Sequence, residues 1–161
     1  MFEREITLCK FLRNGLDEVV ADIPDERIYE RAPGNGHPPI WVLGHLAICG
    51  ELGEKFSGGD VSHPRWLPQF GPGSPDEIED KGRYSKTEFV EAIHSSYDRF
   101  AILASKLPPE SLTAPHGVGL LEGTPIATVG DLISHLFSSH FGFHLAQLSA
   151  WRRAAGHAAL Y

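Results

Sequence analysis

The sequence predicts an all-α fold, four helices around one core with a long crossover between helices 2 and 3. Three observations carry this. Apolar residues recur at three- and four-residue steps along four long segments, strand-type alternation is sustained nowhere, and Gly and Pro cluster between the segments where they break the period. The 161 residues fit a single domain, 1–161, large enough to bury a core without disulfide staples.

The first helix covers about residues 2–22, where Phe2, Ile6, Cys9, Leu12, Leu16 and Val19 or Val20 fall on one face. "ADIPDERIYERAPGNGHPP" then interrupts the pattern. The second helix starts at Pro38-Pro39, since a first-turn proline lacks only an N–H that the helix would leave unpaired. It runs through "IWVLGHLAICGELGEKF" and stops at "SGGD". Residues 58–84 show no sustained period, although "SPDE" reads as the start of a short helical turn. Ser85 with Glu88 makes a Ser-x-x-Glu capping-box pattern that opens the third helix, which ends at Pro108-Pro109. The loop after it closes on "LLEGTPIA", a candidate for a short extended stretch. The last helix begins near Thr128, with Asp131 favourable in its first turn, and reaches about Ala155, where Gly156 supplies a stop.

The crossover has a topological consequence. A second helix of about 20 residues is about 30 Å long. The connection that follows can span more than about 80 Å when extended, enough to return along the whole bundle. Helices two and three are therefore expected to run parallel.

Composition narrows the function. The formal charge is 14 − 21 = −7, a poor footprint for a phosphate backbone, so no nucleic-acid partner is expected. The N-terminal stretch carries charges throughout and lacks the apolar centre of a signal peptide, and no segment is long and apolar enough for a membrane span. Cys9 and Cys49 are the two cysteines and both sit in helical apolar patterns, so the expected location is a reducing cytoplasm.

Near the C-terminus the chain reads "SSHFGFHLAQLSAWRR". At about 100° per residue, His140 and His144 lie about 40° apart on a stripe with Ile133, Phe137, Gln147 and Trp151. By the same arithmetic His135 is about 140° from His140 and belongs to another face. On the second helix, His45 shares the inward stripe with Trp41, Ile48, Cys49 and Leu52. Two helices thus offer imidazoles to the middle of the bundle, the way bundles build metal sites. The pattern equally fits core histidines held by hydrogen bonds. Cys49, one turn from His45, reads as packing ahead of a ligand or reactive thiol, Glu51 is badly aimed, and His94 with Asp98 reads as a polar face or an interhelical hydrogen bond. Gln147 is a candidate partner for a ligand imidazole or a substrate, and Trp41, Trp66 and Phe70 either line a pocket mouth or seal the crossover. His37, His63, His116 and His157 are read as surface residues, with His63 the one that could reach a site.

"PPIWVLGHLA" followed much later by "HFGFHLAQLSAWRR" resembles the DinB/YfiT-like superfamily. Its members carry a His in a W-x-x-G-H-hydrophobic-A-like stretch of helix two and H-x-x-x-H-x-x-Q in helix four. Where many relatives read "HHRGQ", this chain reads "GFHLAQ", so the Arg and Gly of that motif have no counterpart here. The resemblance implies a four-helix bundle with a parallel central pair, a homodimer, and one divalent metal held by His45, His140 and His144. The metal could be zinc, nickel, iron or manganese. Relatives with known activity are transferases or isomerases that use a low-molecular-weight thiol, which implies a thiol-dependent S-transferase acting on a small molecule. Two rivals stand beside it: a metal-dependent hydrolase with the same ligands, and a non-enzymatic metal- or small-ligand-binding protein.

Overall fold

A computed structural model describes residues 1–34 and 36–160. The helices are α1 (Glu3–Ala21), α2 (Pro39–Phe56), the single turn α3 (Leu67–Phe70), α4 (Lys86–Ala104), the single turn α5 (Pro109–Leu112), α6 (Val129–His135) and α7 (Phe141–Ala154). A π-helical turn at Leu136–His140 joins α6 to α7, so the two form one continuous helical stretch. Four long helical segments thus build the bundle.

Facing residues give the directions. Along α2 and onward, Gly50 lies against Ser96 and Tyr97, Gly53 against Phe100, and Gly59 against Leu103. Both partners advance together, so α2 and α4 are parallel, as the length of the crossover predicts. Leu12 lies by Gly142, Leu145 by Gly15, and Asp22 pairs with Arg152, so α1 and α7 are parallel as well. Asp17 pairs with His94 while Arg13 pairs with Asp98, which makes α1 antiparallel to α4. The order is up, down, down, up.

The core centres on α2, of whose 18 residues all but Leu52, Lys55 and Phe56 are buried. It packs most extensively on α4, and its glycines let the two backbones approach closely. The crossover is pinned over this pair. Phe70 fills the space above Gly44, where a Cβ would come within 2.5 Å of the ring, and both Phe70 and Trp66 pack edge-on against Phe89. Each such buried aromatic contributes about 1.5–3 kcal/mol. Trp66 and Phe70 therefore seal the crossover.

Several expectations need correcting. No helical turn forms at Ser74–Glu77, where Asp76 instead accepts hydrogen bonds from Arg31 and His37; the crossover's helical turns lie earlier, at Pro64–Trp66 and Leu67–Phe70. The third long helix ends at Ala104 rather than at the prolines, which open α5. "LLEGTPIA" forms a 3₁₀ turn over Gly119–Leu121 and no strand; among the described residues one isolated bridge, Pro115 to Thr128, is the sole β pairing. Ser85 caps α4 by accepting from the Glu88 N–H at 3.1 Å, but the reciprocal capping box sits at Thr128 and Asp131. His157 packs beside Trp151 and reaches Asp22, and His116 bonds the Ile126 carbonyl and the Val118 N–H, so both are half-buried structural groups.

Candidate metal centre

His45 sits mid-way along α2, His140 ends the π turn, and His144 follows one turn into α7. Since α2 and α7 are antiparallel, Trp41 lies near His144 while Cys49 lies near His140. The three imidazoles meet. Ring centroids are 4.6 Å apart for His45–His144 and for His140–His144, and 5.2 Å for His45–His140.

Their tautomers follow from their outer partners. His45 Nδ1 donates to the Phe70 carbonyl at 2.7 Å, which leaves Nε2 with its lone pair facing inward. The Phe70 that plugs the crossover thus also orients a site imidazole. His144 Nδ1 donates to Gln147 Oε1 at 2.7 Å, so Gln147 holds that ring as the sequence allowed. Trp41 stacks nearly flat on His45, with centroids 4.8 Å apart. The atoms that converge within 4.8 Å of one another are His45 Nε2, Cys49 Sγ and His140 Nε2. Cys49, expected as packing, is therefore part of the cluster. The two Nε2 atoms stand 3.2 Å apart. Nitrogens bonded at about 2.05 Å to one tetrahedral ion would stand about 3.3 Å apart, so this pair fits a shared metal.

The electrostatics suit neutral ligands. Burial, and then the neighbouring imidazoles, hold His140 well below the usual range. Burial and His45 bring His144 down to about 4, and burial lowers His45. All three shifts favour the neutral ring, the form that coordinates a metal. Burial pushes the Cys49 thiol up.

A cavity of about 290 Å³ opens onto this cluster. Leu52, Phe56, Leu120, Leu121, Leu132 and Leu136 make up much of its apolar wall, and His45, Cys49 and His140 supply the polar atoms, with Trp41 and His135 beside them. Trp41 thus lines the pocket. A wider groove of about 860 Å³ lies between the loop before α2 and the crossover, but it contains no imidazole or thiol.

His135 corrects the helical-wheel arithmetic. It does not lie on another face: its ring sits 5.4 Å from that of His140, and both line the cavity. The cause is the π turn, which closes i to i+5 and so aligns residues five apart. Other candidates are placed elsewhere. His63 donates to Glu51 and stacks on Trp66, Asp98 pairs with Arg13, and His94 pairs with Asp17, all structural contacts. The sequence ranks Cys49 as packing ahead of a ligand and puts His135 on another face. The i, i+4 spacing to His45 was a signal for the first; only the π turn reveals the second.

The DinB superfamily profile matches residues 9–148. The chain belongs to the DinB superfamily. Among curated proteins none matches it. The parallel central pair and the imidazoles facing each other across α2 and α7 are how this member of the superfamily lays out those residues. No helix among the described residues is long and apolar enough to cross a membrane.

Proposed function

We propose that this chain is a divalent-metal-dependent enzyme acting on a small, largely apolar molecule, with a low-molecular-weight thiol as its second substrate. The observation that carries the reading is the apolar cavity whose polar floor is the set of potential ligand atoms. His45, His140 and His144 would hold the metal: the first two line the cavity, and His144 adjoins both from outside its wall, ring centroids 4.6 Å away. When bound, a divalent ion supplies a Lewis acid that lowers the pKa of a coordinated thiol.

The chain's own residues do the rest. The Phe70 carbonyl and Gln147 keep His45 and His144 in the tautomer that presents Nε2. Trp41 clamps the His45 ring from one side. The leucines and Phe56 exclude water and take up an apolar electrophile. Transfer is the reading preferred from the apolar wall; the residue of the cavity able to serve as a general base for the rival hydrolysis is His135, since Glu51 is turned away to His63.

Metal content per chain, measured on untagged protein and on His144→Ala, is the first test, followed by conjugation of small electrophiles with glutathione, bacillithiol and mycothiol. Near-stoichiometric metal in the wild type and metal-dependent loss of free thiol support the proposal. Metal binding with hydrolysis and no thiol consumption would move the assignment to the hydrolase. No metal after reconstitution would leave a small-ligand-binding protein.

A further inference from the structure

We infer that Cys49 is itself a metal ligand, so that the centre is a mixed nitrogen–sulfur site rather than one built of histidines alone. The inference rests on the metal reading above: with His45, His140 and His144 the sulfur completes a tetrahedron, so a substrate thiol would enter by expansion to a fifth ligand. Its evidence is the placement of sulfur. Sγ lies 3.5 Å from His45 Nε2 and 3.8 Å from His140 Nε2. For a tetrahedral ion with bonds of about 2.3 Å to sulfur and about 2.05 Å to nitrogen, that sulfur–nitrogen edge is about 3.6 Å. With the 3.2 Å nitrogen pair, three atoms already form one face of a tetrahedron.

The hydrogen bonding is compatible with this. His45 Nε2 carries a lone pair, because Nδ1 is committed to Phe70. Nε2 of His140 and Sγ of Cys49 crowd that lone pair inside the bundle. One cation satisfies all three atoms at once. On binding, the Cys49 thiol proton leaves to solvent and the sulfur coordinates as thiolate. Coordination through Nε2 would put the His140 ring proton on Nδ1, a buried atom without a hydrogen-bond partner, so this ring lacks the outer acceptor that His45 and His144 have. Cys49 is positioned by the helix that supplies His45, one turn on and 1% exposed, so it needs no movement to reach the ion. A thiolate in the donor set shifts preference towards zinc, cobalt and nickel and away from manganese.

The test uses the reduced full-length chain, freed of metal and titrated with Co²⁺ under anaerobic conditions. The visible bands of four-coordinate cobalt report binding. A near-ultraviolet sulfur-to-cobalt charge-transfer band reports thiolate ligation. The expected result is both bands in the wild type and in Cys9→Ser, with Cys49→Ser keeping the visible bands and losing the near-ultraviolet one. Since the chain has two cysteines, a band retained by Cys9→Ser assigns the ligand even if Cys49→Ser fails to fold. Zinc affinity in Cys49→Ser should fall by at least the roughly 10–100-fold that loss of an outer hydrogen-bond partner costs. Visible bands with no charge-transfer band in the wild type would overturn the Cys49 assignment and leave the histidine site standing. Absence of both bands would overturn the metal centre itself.

Discussion

Helix α2 has two faces that do opposite things. Towards α4 it presents Gly50 and Gly53, and the Tyr97 and Phe100 rings fill the space where side chains would be. Towards α7 it presents His45 and Cys49, and there the bundle leaves a cavity instead of filling it. One face is tightly packed and shut, its buried Glu54 paired with Arg99 of α4. The other concentrates polar atoms whose hydrogen bonding is incomplete. The lesson is that rigidity on one side of a helix permits an under-packed, polar site on its other side, because α2 is already pinned in place.

The two faces should therefore fail differently under mutation. The largest effect is expected from His140→Ala, which should reduce bound metal from near one per chain to a trace. The stability of the metal-free protein should fall by only about 1–3 kcal/mol, since the change removes the ring's packing and the contacts of His140 Nε2 with His45 and Cys49 but breaks no bond at Nδ1. Metal analysis with a thermal melt of the stripped protein checks both halves. A His140→Ala protein that still binds metal fully would dissolve the contrast.

Gly53→Ala attacks the other face. A Cβ there would lie 2.5 Å from Phe100 Cδ1, inside a ring that is fully buried. Overpacking of this kind should cost about 3 kcal/mol and lower the thermal midpoint by roughly 6–12 °C, with metal stoichiometry of the folded protein unchanged. Wild-type stability in that variant would mean that the aromatic face yields and is no clamp.

Mild acid, above the range where the Arg-paired Asp22 and Asp76 take up protons, should act chiefly on the imidazole face. In the metal-free protein His144 titrates at about 4, against the usual 6.5 once unfolded. Between those values the unfolded chain binds the proton and the folded chain does not. Stability therefore falls as pH drops from 6.5 towards 4, by on the order of 3 kcal/mol for this group, and is unaffected by it above 6.5. Denaturant melts across that window should show a shallower slope for His144→Gln; an equal slope would mean that burial of this ring does not govern the loss.

Gln147→Leu removes the acceptor for His144 Nδ1 without touching a ligand. Metal affinity should weaken roughly 10–100-fold with little change in the fold, which competition against a chelating dye would read. Smallest of all, Thr128→Ala deletes the capping box of α6, remote from both faces. It should cost about 1 kcal/mol by denaturant melt and leave metal binding alone. A large metal effect there would mean that the register of α6 sets the position of His140.

Much of this was legible in the residues. The apolar periods of α1 and α2, Ser85 before α4 and Thr128 with Asp131 before α6 are local signals, and local signals survive folding. The parallel α2–α4 pair followed from chain length, since residues 58–84 can reach back along the bundle. His45 and His140 were found because both fall on inward stripes. What escaped depended on distant partners. Phe70, which plugs Gly44 and orients His45, comes from a stretch with no period to read. Cys49 looks like any small core residue until the imidazole of another helix is placed beside it.

By itself the sequence determined which segments are helical, which faces turn inward, and which residue types meet in the middle. Those properties depend on hydrophobic period and end-capping, which are written into neighbouring residues. Tertiary structure alone decided which inward-facing atoms are close enough to share one ion, because that distance depends on the packing of α2 against α7. It also decided that His135 joins His140, because the π turn changes the helical repeat on which the sequence arithmetic relied.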